Sequence, residues 1–236
     1  MKAIILAGGK GERLRPFTIG IPKPMVEVGG KPILEHIIQL FKKSGISDLI
    51  FALCYRHKDI SDYFGNGSKF NVKINYLIED ENNPLGTAGA IVGAKKFIEE
   101  TFIVAYGDIL RKLDIADVIK KHKVHNAFVT LVVYKNKRSN PKSLIKFDNY
   151  GVIHKFKERP KIIDKKEDFV WSNASFYIFQ PGIFDFIIPG KIQDFGKDIF
   201  PKILSSGKII YAYQQKGYFI DISNLEKLKE ARRMFR

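Results

Sequence analysis

Short apolar, β-branched runs alternate with segments of helical periodicity, and this alternation restricts the fold more than any other feature of the chain. Residues 3–6, 49–53, 73–77 and 102–105 read as strands. Between them, residues 32–43 place Ile33, Leu34, Ile37, Ile38 and Phe41 along one helical face. That helix opens with proline, whose missing N–H costs nothing at the first helical position. Further helices are expected over 58–64, 87–98 and 115–122. The succession predicts βαβ units in an α/β fold, a Rossmann-like three-layer α/β/α arrangement around a mainly parallel, mixed sheet.

The later part changes character. Residues 128–134, 143–147, 152–156 and 170–179 read as closely spaced strands with few helices between them. Asp148-Asn-Tyr-Gly151 has the composition of a hairpin turn. Helices return at 197–204 and 224–235, enclosing a strand at 208–213. A single domain over 1–236 is expected, with a nucleotide-binding half at 1–112 and a second half at 113–236 that could cover another substrate.

At 236 residues and 45% apolar composition, the chain can bury a substantial core without staples. Its one cysteine, Cys54, sits in the apolar run 49–54 and reads as a buried core thiol, which excludes a disulfide scaffold and fits a reducing cytoplasm. Gly8 and Gly9 interrupt the first apolar run too early for a signal peptide, and no run reaches membrane-spanning length. A cytoplasmic protein with no membrane partner is expected. The formal charge of +15 is spread over pairs such as Lys42-Lys43, Lys95-Lys96, Lys120-Lys121 and Lys165-Lys166. With no nucleic-acid motif beside them, these read as a solvated basic surface that attracts small polyanions, not nucleic acid.

The first strand runs straight into Ala7-Gly-Gly-Lys-Gly-Glu-Arg13. A loop with Gly8, Gly9 and Gly11 can bring backbone N–H groups to phosphate oxygens, because glycine admits positive φ and presents no side chain. It is no Walker loop, since Lys10 is not followed by Ser or Thr, and no dinucleotide fingerprint, since Leu14 stands where a glycine belongs. Arg13, Pro16, Thr18 and Pro22-Lys23-Pro24 follow within a few residues.

From Leu6 through Met25 this stretch resembles the signature of the sugar-phosphate nucleotidyltransferases. The resemblance continues through Pro84-Leu-Gly-Thr-Ala-Gly-Ala90, Tyr106-Gly-Asp108, Phe156-Lys-Glu-Arg-Pro160, Ser172-Asn-Ala174 and Gly217-Tyr-Phe-Ile-Asp221, in the family's order. The length and the run Asp194-Phe-Gly-Lys-Asp-Ile-Phe-Pro201 look most like mannose-1-phosphate guanylyltransferases and related heptose- or muramate-phosphate enzymes.

What the resemblance implies is the nucleotide-diphospho-sugar transferase fold and condensation of a nucleoside triphosphate with a sugar 1-phosphate, releasing pyrophosphate, with Mg²⁺ as cofactor. It puts Leu6, Gly8, Gly9, Gly11 and Arg13 against the nucleotide, with Gly86 and Thr87 at the base. Arg13, Lys23 and Asp108 would be catalytic. Lys23, Glu158, Arg159 and Asn173 would hold the sugar phosphate, and Asp108 and Asp221 the metal. Fixed cations suit this chemistry because two polyanions must meet. Asp108 ends an apolar strand, at the sheet edge where open α/β proteins bind ligands. By residue type alone, both aspartates could equally be turn or cap residues, Thr87 a helix cap, and Asn173 and Glu158 surface or turn groups.

Glu79 is the candidate for selecting GTP, since a carboxylate accepts two hydrogen bonds from guanine, although it also lies in the acidic run Glu79-Asp-Glu81. The chain departs from the family where Arg159 replaces a common lysine and where Ser175 and Ser223 replace common glycines, which leaves the reaction class standing and the sugar open; the base, too, is not fixed by the sequence. Uridylyl or thymidylyl transfer to glucose, heptose or amino-sugar 1-phosphates is the alternative; a non-catalytic nucleotide-sugar-sensing subunit is another. With no hexapeptide tail, a left-handed β-helical domain is not expected; homo-oligomerisation is left open.

Overall fold

The computed structural model describes residues 1–137, 141–160 and 169–235. Lys165 and Lys166 therefore lie outside the described residues. In chain order the strands are β1 (Ala3–Leu6), β2 (Glu27–Val28), β3 (Lys31–Pro32), β4 (Asp48–Leu53), β5 (Lys73–Ile78), β6 (Phe102–Tyr106) and β7 (Ile109–Arg111). They continue with β8 (Val129–Lys137), β9 (Ser143–Phe147), β10 (Ile153–Glu158), β11 (Phe169–Phe179), β12 (Ile210–Gln214) and β13 (Phe219–Asp221). The α-helices are α1 (Ile33–Lys43), α2 (His57–Phe64), α3 (Gly86–Gly89), α4 (Ile115–Val124), α5 (Phe200–Ser205) and α6 (Leu225–Met234). This is the expected mixed α/β class with a partly parallel main sheet.

The chain forms two compact units, each discontinuous in sequence. The first comprises Met1–Pro84, Ala105–Leu113 and Gly217–Arg236, and the second Leu85–Val104 and Asp114–Lys216. Two exchanges of chain shape these units, because long-range pairing outweighs chain proximity. β13 pairs antiparallel with β7, drawing the C-terminal segment into the first unit. Residues 85–89 hydrogen-bond to Gln193, drawing that segment into the second.

In the first unit β1 pairs parallel with β4, and β4 with β5. Ala3, Ile4 and Ile5 are wholly buried, as are Leu49, Ile50, Phe51 and Leu53, the pattern of parallel strands covered on both faces. Helix α1 buries Ile33, Leu34, Ile37, Ile38 and Phe41, as its stripe predicts. It stops at Gly45 (φ 75°), whose N–H donates to the Lys42 carbonyl while Ile46 N–H donates to Phe41. That six-to-one closure needs a left-handed residue, and glycine adopts it without a Cβ clash.

In the second unit β11 pairs antiparallel with β8 and β9, β10 antiparallel with β9, and β12 parallel with β8. The hairpin turn after β9 forms as expected, with the Asp148 carboxylate accepting the N–H groups of Tyr150 and Val152. Tyr177, Phe179, Phe195 and Phe200 are all fully buried, and their rings pack with centroids 5.2–5.3 Å apart for the Tyr177–Phe195, Phe179–Phe195 and Tyr177–Phe200 pairs. This cluster anchors the segment after Asp194 on β11.

Two expected helices break up. Residues 87–98 form only α3 and a 3₁₀ segment, Val92–Phe97, with the first-turn N–H groups of Ala88 and Gly89 satisfied by the Gln193 carbonyl. Residues 197–204 begin as a wide π turn, Phe195–Ile199, before α5 takes over with Pro201 in its first turn. Among the described residues no helix is long and apolar enough to cross a membrane.

Candidate active site

The first unit gathers most of the predicted residues at the carboxyl ends of its parallel strands. The β1 strand ends at Leu6, whose carbonyl accepts from Gly107 N–H at 2.8 Å, so Asp108 enters beside the glycine loop. A Cβ at Gly107 would sit 3.0 Å from the Leu6 carbonyl oxygen and from Ala7 Cβ. Gly8 packs on Cys54 at the end of β4, where a Cβ would come within 2.8 Å of the Cys54 Cβ. Gly9 meets nothing. Glu79, just past β5, is half-buried, and its N–H donates to the Leu53 carbonyl.

Gly11 is left-handed (φ 70°), and an added Cβ would lie 2.8 Å from Lys23 Cβ and 3.0 Å from Thr18 Cγ2. The loop and the Lys23 segment therefore close on each other only because Gly11 lacks a side chain. Thr18 Oγ1 donates to the Gly11 carbonyl, tightening the same contact. Lys23 is 7% exposed, and its ammonium is paired with Asp108 Oδ2. A buried cation without a carboxylate would be strongly destabilising, so this pair fixes where Lys23 points.

The other Asp108 oxygen, Oδ1, is buried and has no hydrogen-bond partner among the described residues. The β7–β13 ladder brings Asp221 alongside: Asp221 lies in register with Ile109, and Ile222 N–H donates to the Asp108 carbonyl. Arg13 is exposed on the 3₁₀ turn Glu12–Leu14; no hydrogen bond or ion pair among the described residues ties it to Lys23 or Asp108.

The second unit carries the remaining predicted residues. Gly86 is left-handed (φ 75°), and a Cβ there would meet the Gln193 carbonyl oxygen at 2.6 Å. Thr87 does not cap α3 with its side chain. Its N–H and hydroxyl both donate to Asp194 Oδ1, at 3.2 and 3.1 Å, and Oγ1 accepts from Phe195 N–H at 3.0 Å. Glu158, at the end of β10, lies opposite Ser143. Burial, chiefly, and then the nearby Asp194 charge push its carboxyl above the usual range, against the opposing pull of Arg159. Arg159 is exposed and left-handed (φ 43°), its N–H donating to Lys142.

Asn173 sits at a bulge, since the β11–β8 register shifts between Asn173 and Tyr177. Its Oδ1 accepts from Ser175 N–H at 2.8 Å and its Nδ2 donates to the Tyr177 hydroxyl at 2.8 Å. The wholly buried Ser143 hydroxyl accepts Asn173 N–H, which joins the Glu158 and Asn173 strands through one residue.

A family model described as Nucleotidyl transferase matches residues 2–235 of the chain. The chain belongs to the nucleotidyl transferase family. It is 32% identical over 241 residues to a UTP–glucose-1-phosphate uridylyltransferase of Synechocystis sp., covering 95% of this chain and 61% of that protein. To a mannose-1-phosphate guanyltransferase of Schizosaccharomyces pombe it is 32% identical over 232 residues, covering 94% and 61%. The chain thus spans about 61% of the length of these curated relatives. A crystal structure of HddC from Yersinia pseudotuberculosis complexed with GMP-PN superimposes with a TM-score of 0.82 at 29% identity, covering 100% of this chain and 99% of that one.

For a nucleotidyl transferase the donor set around Asp108 is chemically suited to a hard divalent cation. Asp108 Oδ1 is a buried carboxylate oxygen with no hydrogen-bond partner among the described residues, and Asp221 stands on β13 opposite the neighbouring residue, Ile109. Among the described residues no group of three or more His, Cys, Asp or Glu side chains could hold a metal ion. Such a site suits Mg²⁺, which keeps few protein carboxylates and completes its octahedron with phosphate oxygens and water. Ser143, Tyr177 and Asp194 organise the second unit's residues, and of these the sequence singles out only Asp194, as the start of the run 194–201 and with no role attached. The only signals were a polar residue inside a strand at Ser143 and an aspartate before an aromatic-rich run at Asp194.

Proposed function

We propose that the protein is a Mg²⁺-dependent sugar-1-phosphate nucleotidyltransferase, with GTP and mannose 1-phosphate as the preferred pair. The observation that carries the reading is the buried Lys23–Asp108 pair under the glycine loop, with one Asp108 oxygen still lacking a partner. A sugar phosphate oxygen attacks the α-phosphorus in line; the new P–O bond forms as the bond to the β-phosphate oxygen breaks, and pyrophosphate leaves with that electron pair. No covalent enzyme intermediate is needed, so the chain's task is positioning and charge.

Lys23 offsets the repulsion between the two anions, and Asp108 keeps its ammonium aimed. Arg13, exposed on its turn, is free to swing onto the triphosphate. Asp108 and Asp221 would hold Mg²⁺, which when bound draws charge from the phosphate oxygens. Glu158 and Asn173 receive the sugar hydroxyls and Arg159 its phosphate. Gly86 and Thr87 lie against the base, and Glu79 selects guanine by accepting from N1–H and the exocyclic amine.

The uridylyl alternative draws support from the Synechocystis relative's name. A matrix of GTP, UTP, dTTP and ATP against mannose, glucose, heptose and amino-sugar 1-phosphates, read as pyrophosphate release with and without chelator, tests the reading. GTP with mannose 1-phosphate should lead, and chelation should abolish turnover. Leadership by UTP or dTTP would move the base assignment, and Glu79→Gln should then leave the order of bases unchanged. No release from any pair would favour a sensing subunit.

A further inference from the structure

The segment at Gln193–Gly196 belongs to none of the roles above, yet it touches two of the residues assigned to substrate in the second unit. Toward residues 85–89, the Gln193 carbonyl accepts from Ala88 N–H at 2.8 Å and Gly89 N–H at 3.2 Å, and Gln193 N–H donates to the Leu85 carbonyl at 2.9 Å. Gln193 is 5% exposed, and its side-chain oxygen accepts from Ile188 N–H, which locks the turn from behind. Asp194 Oδ1 takes both donors of Thr87, while Phe195 N–H saturates the Thr87 hydroxyl from the other side. The opposite carboxylate oxygen of Asp194 faces Lys197 at 3.9 Å, and Asp194 N–H is held by Asp198 Oδ2 at 2.7 Å.

Two residues later the same turn meets the other substrate residue. A Cβ at Gly196 would stand 2.5 Å from Glu158 Oε2 and 2.9 Å from Glu158 Cδ. The Glu158 carboxylate therefore lies directly on the Gly196 backbone, in space that any side chain at this position would take. The Phe195 ring between them is fully buried against Tyr177, Phe179 and Phe200, so neither contact can slide independently of the core.

We infer that the Gln193–Gly196 turn is a positioning element for both substrates, with Asp194 setting the Gly86–Thr87 segment for the nucleotide and Gly196 setting the Glu158 carboxylate for the sugar phosphate. This rests on the substrate assignments under the proposed function. Asp194 and Gly196 touch no substrate in this account; they act through Thr87 and Glu158. The arrangement predicts a split that general destabilisation would not produce. Loss of the Asp194 hydrogen bonds loosens the nucleotide side far more than the sugar side, where Asp194 acts on Glu158 only through its charge, and a methyl at Gly196 displaces Glu158 directly.

The experiment compares Asp194→Ala, Asp194→Asn and Gly196→Ala with wild type, measuring Michaelis constants for both substrates in the best pair, thermal midpoints, and calorimetric Kd values for the triphosphate and the sugar phosphate separately. Asp194→Ala should raise KM and Kd for the triphosphate by about tenfold, the equivalent of one or two lost hydrogen bonds, with the sugar-phosphate constants within twofold. Asp194→Asn keeps an acceptor oxygen for Thr87 and should recover most of that loss. Gly196→Ala should show the reverse split. Equal losses on both substrates that track the thermal midpoint, or no rescue by asparagine, would overturn the inference. If wild type binds both ligands without turnover, catalysis is what fails, and the Kd values still decide the split. Should wild type bind neither, the substrate assignments and the inference fall together.

Discussion

The two units place functional side chains by different physical means. In the first, groups converge because parallel strands end at one edge, and the decisive contact is between opposite charges, Lys23 with Asp108, closed in by a left-handed Gly11 that has no room for a side chain against Lys23. In the second, side chains sit on antiparallel strands, at a bulge and in a loop, and hydrogen bonds and left-handed residues, not a buried ion pair, aim them. Charges aimed by a buried partner have few alternatives, because moving either one leaves the other unpaired in a poor dielectric. Hydrogen-bonded polar groups can be re-aimed at a cost of about 1 kcal/mol each. A family member of this build should tolerate change in the second unit as altered substrate preference, and in the first as lost activity.

The largest effect should therefore come from the first unit. Asp108→Asn and Asp221→Asn are each expected to lower pyrophosphate release by at least a hundredfold, or about 3 kcal/mol of barrier. Asp108→Asn also strips Lys23 of its partner, so its thermal midpoint should fall further than that of Asp221→Asn. Near-normal rates in either variant would remove that residue from the metal site and erase the contrast between the units.

Gly86→Ala strikes the second unit where it is least forgiving. Both the positive φ and the 2.6 Å approach to the Gln193 carbonyl oppose a side chain there. A loss of about 2 to 4 kcal/mol in folding stability is expected from strain plus displaced backbone, measured by denaturant titration. Gly9→Ala, at a position that meets nothing and is not left-handed, should change stability far less.

The same contrast explains what could be read in advance. Leu6 through Lys23 is contiguous, and its glycines, arginine and lysine carry their spacing in the chain, so the first unit's loop was legible. Asp108 was legible as the end of an apolar strand. The ladder that sets Asp221 beside it was not, because β7 and β13 have three residues each, too few to display a period of two. In the second unit, Thr87 and Asp194 are 107 residues apart, and no local pattern announces their bond. The Gln193 carbonyl that caps the first turn of α3 is equally distant, 104 residues or more along the chain from Ala88 and Gly89, and equally unannounced.

A smaller effect separates the units by pH. His122, 3% exposed in the second unit with Nδ1 bonded to Thr130 Oγ1, is held neutral, burial driving its pKa down from 6.5 to about 4. A depressed folded-state pKa means the stabilisation is complete above about pH 6.5 and is lost as pH falls through about 4. By pH 4.5 protonation should cost about 2 to 3 kcal/mol. His122→Gln should flatten the fall in stability between pH 7 and 4.5 by that amount relative to wild type. An equal fall in both proteins would assign the acid lability to carboxylates elsewhere.

The smallest predicted effect is a gain. Ser175 is left-handed (φ 54°) in the Asn173–Tyr177 bulge, at a position where the sequence resemblance leads one to expect glycine. A non-glycine residue in that region is strained by about 1 kcal/mol, whereas glycine there costs extra unfolded-state entropy of about 0.4 to 1 kcal/mol. The two terms nearly cancel, so Ser175→Gly should stabilise by about 0.5 kcal/mol or less, a rise in Tm of about 1 to 2 °C for a chain of this size. The Ser175 N–H bond to Asn173 Oδ1 is a backbone bond and survives the change. Asn173 should stay aimed, and the sugar-phosphate Michaelis constant should stay within twofold of wild type. If stability rises but that constant changes severalfold, the serine side chain acts on Asn173, and the departure from glycine is a specificity feature. If stability falls by 1 kcal/mol or more, contacts of the hydroxyl outweigh the strain, and the bulge is held by side-chain bonding as firmly as the first unit is held by charge.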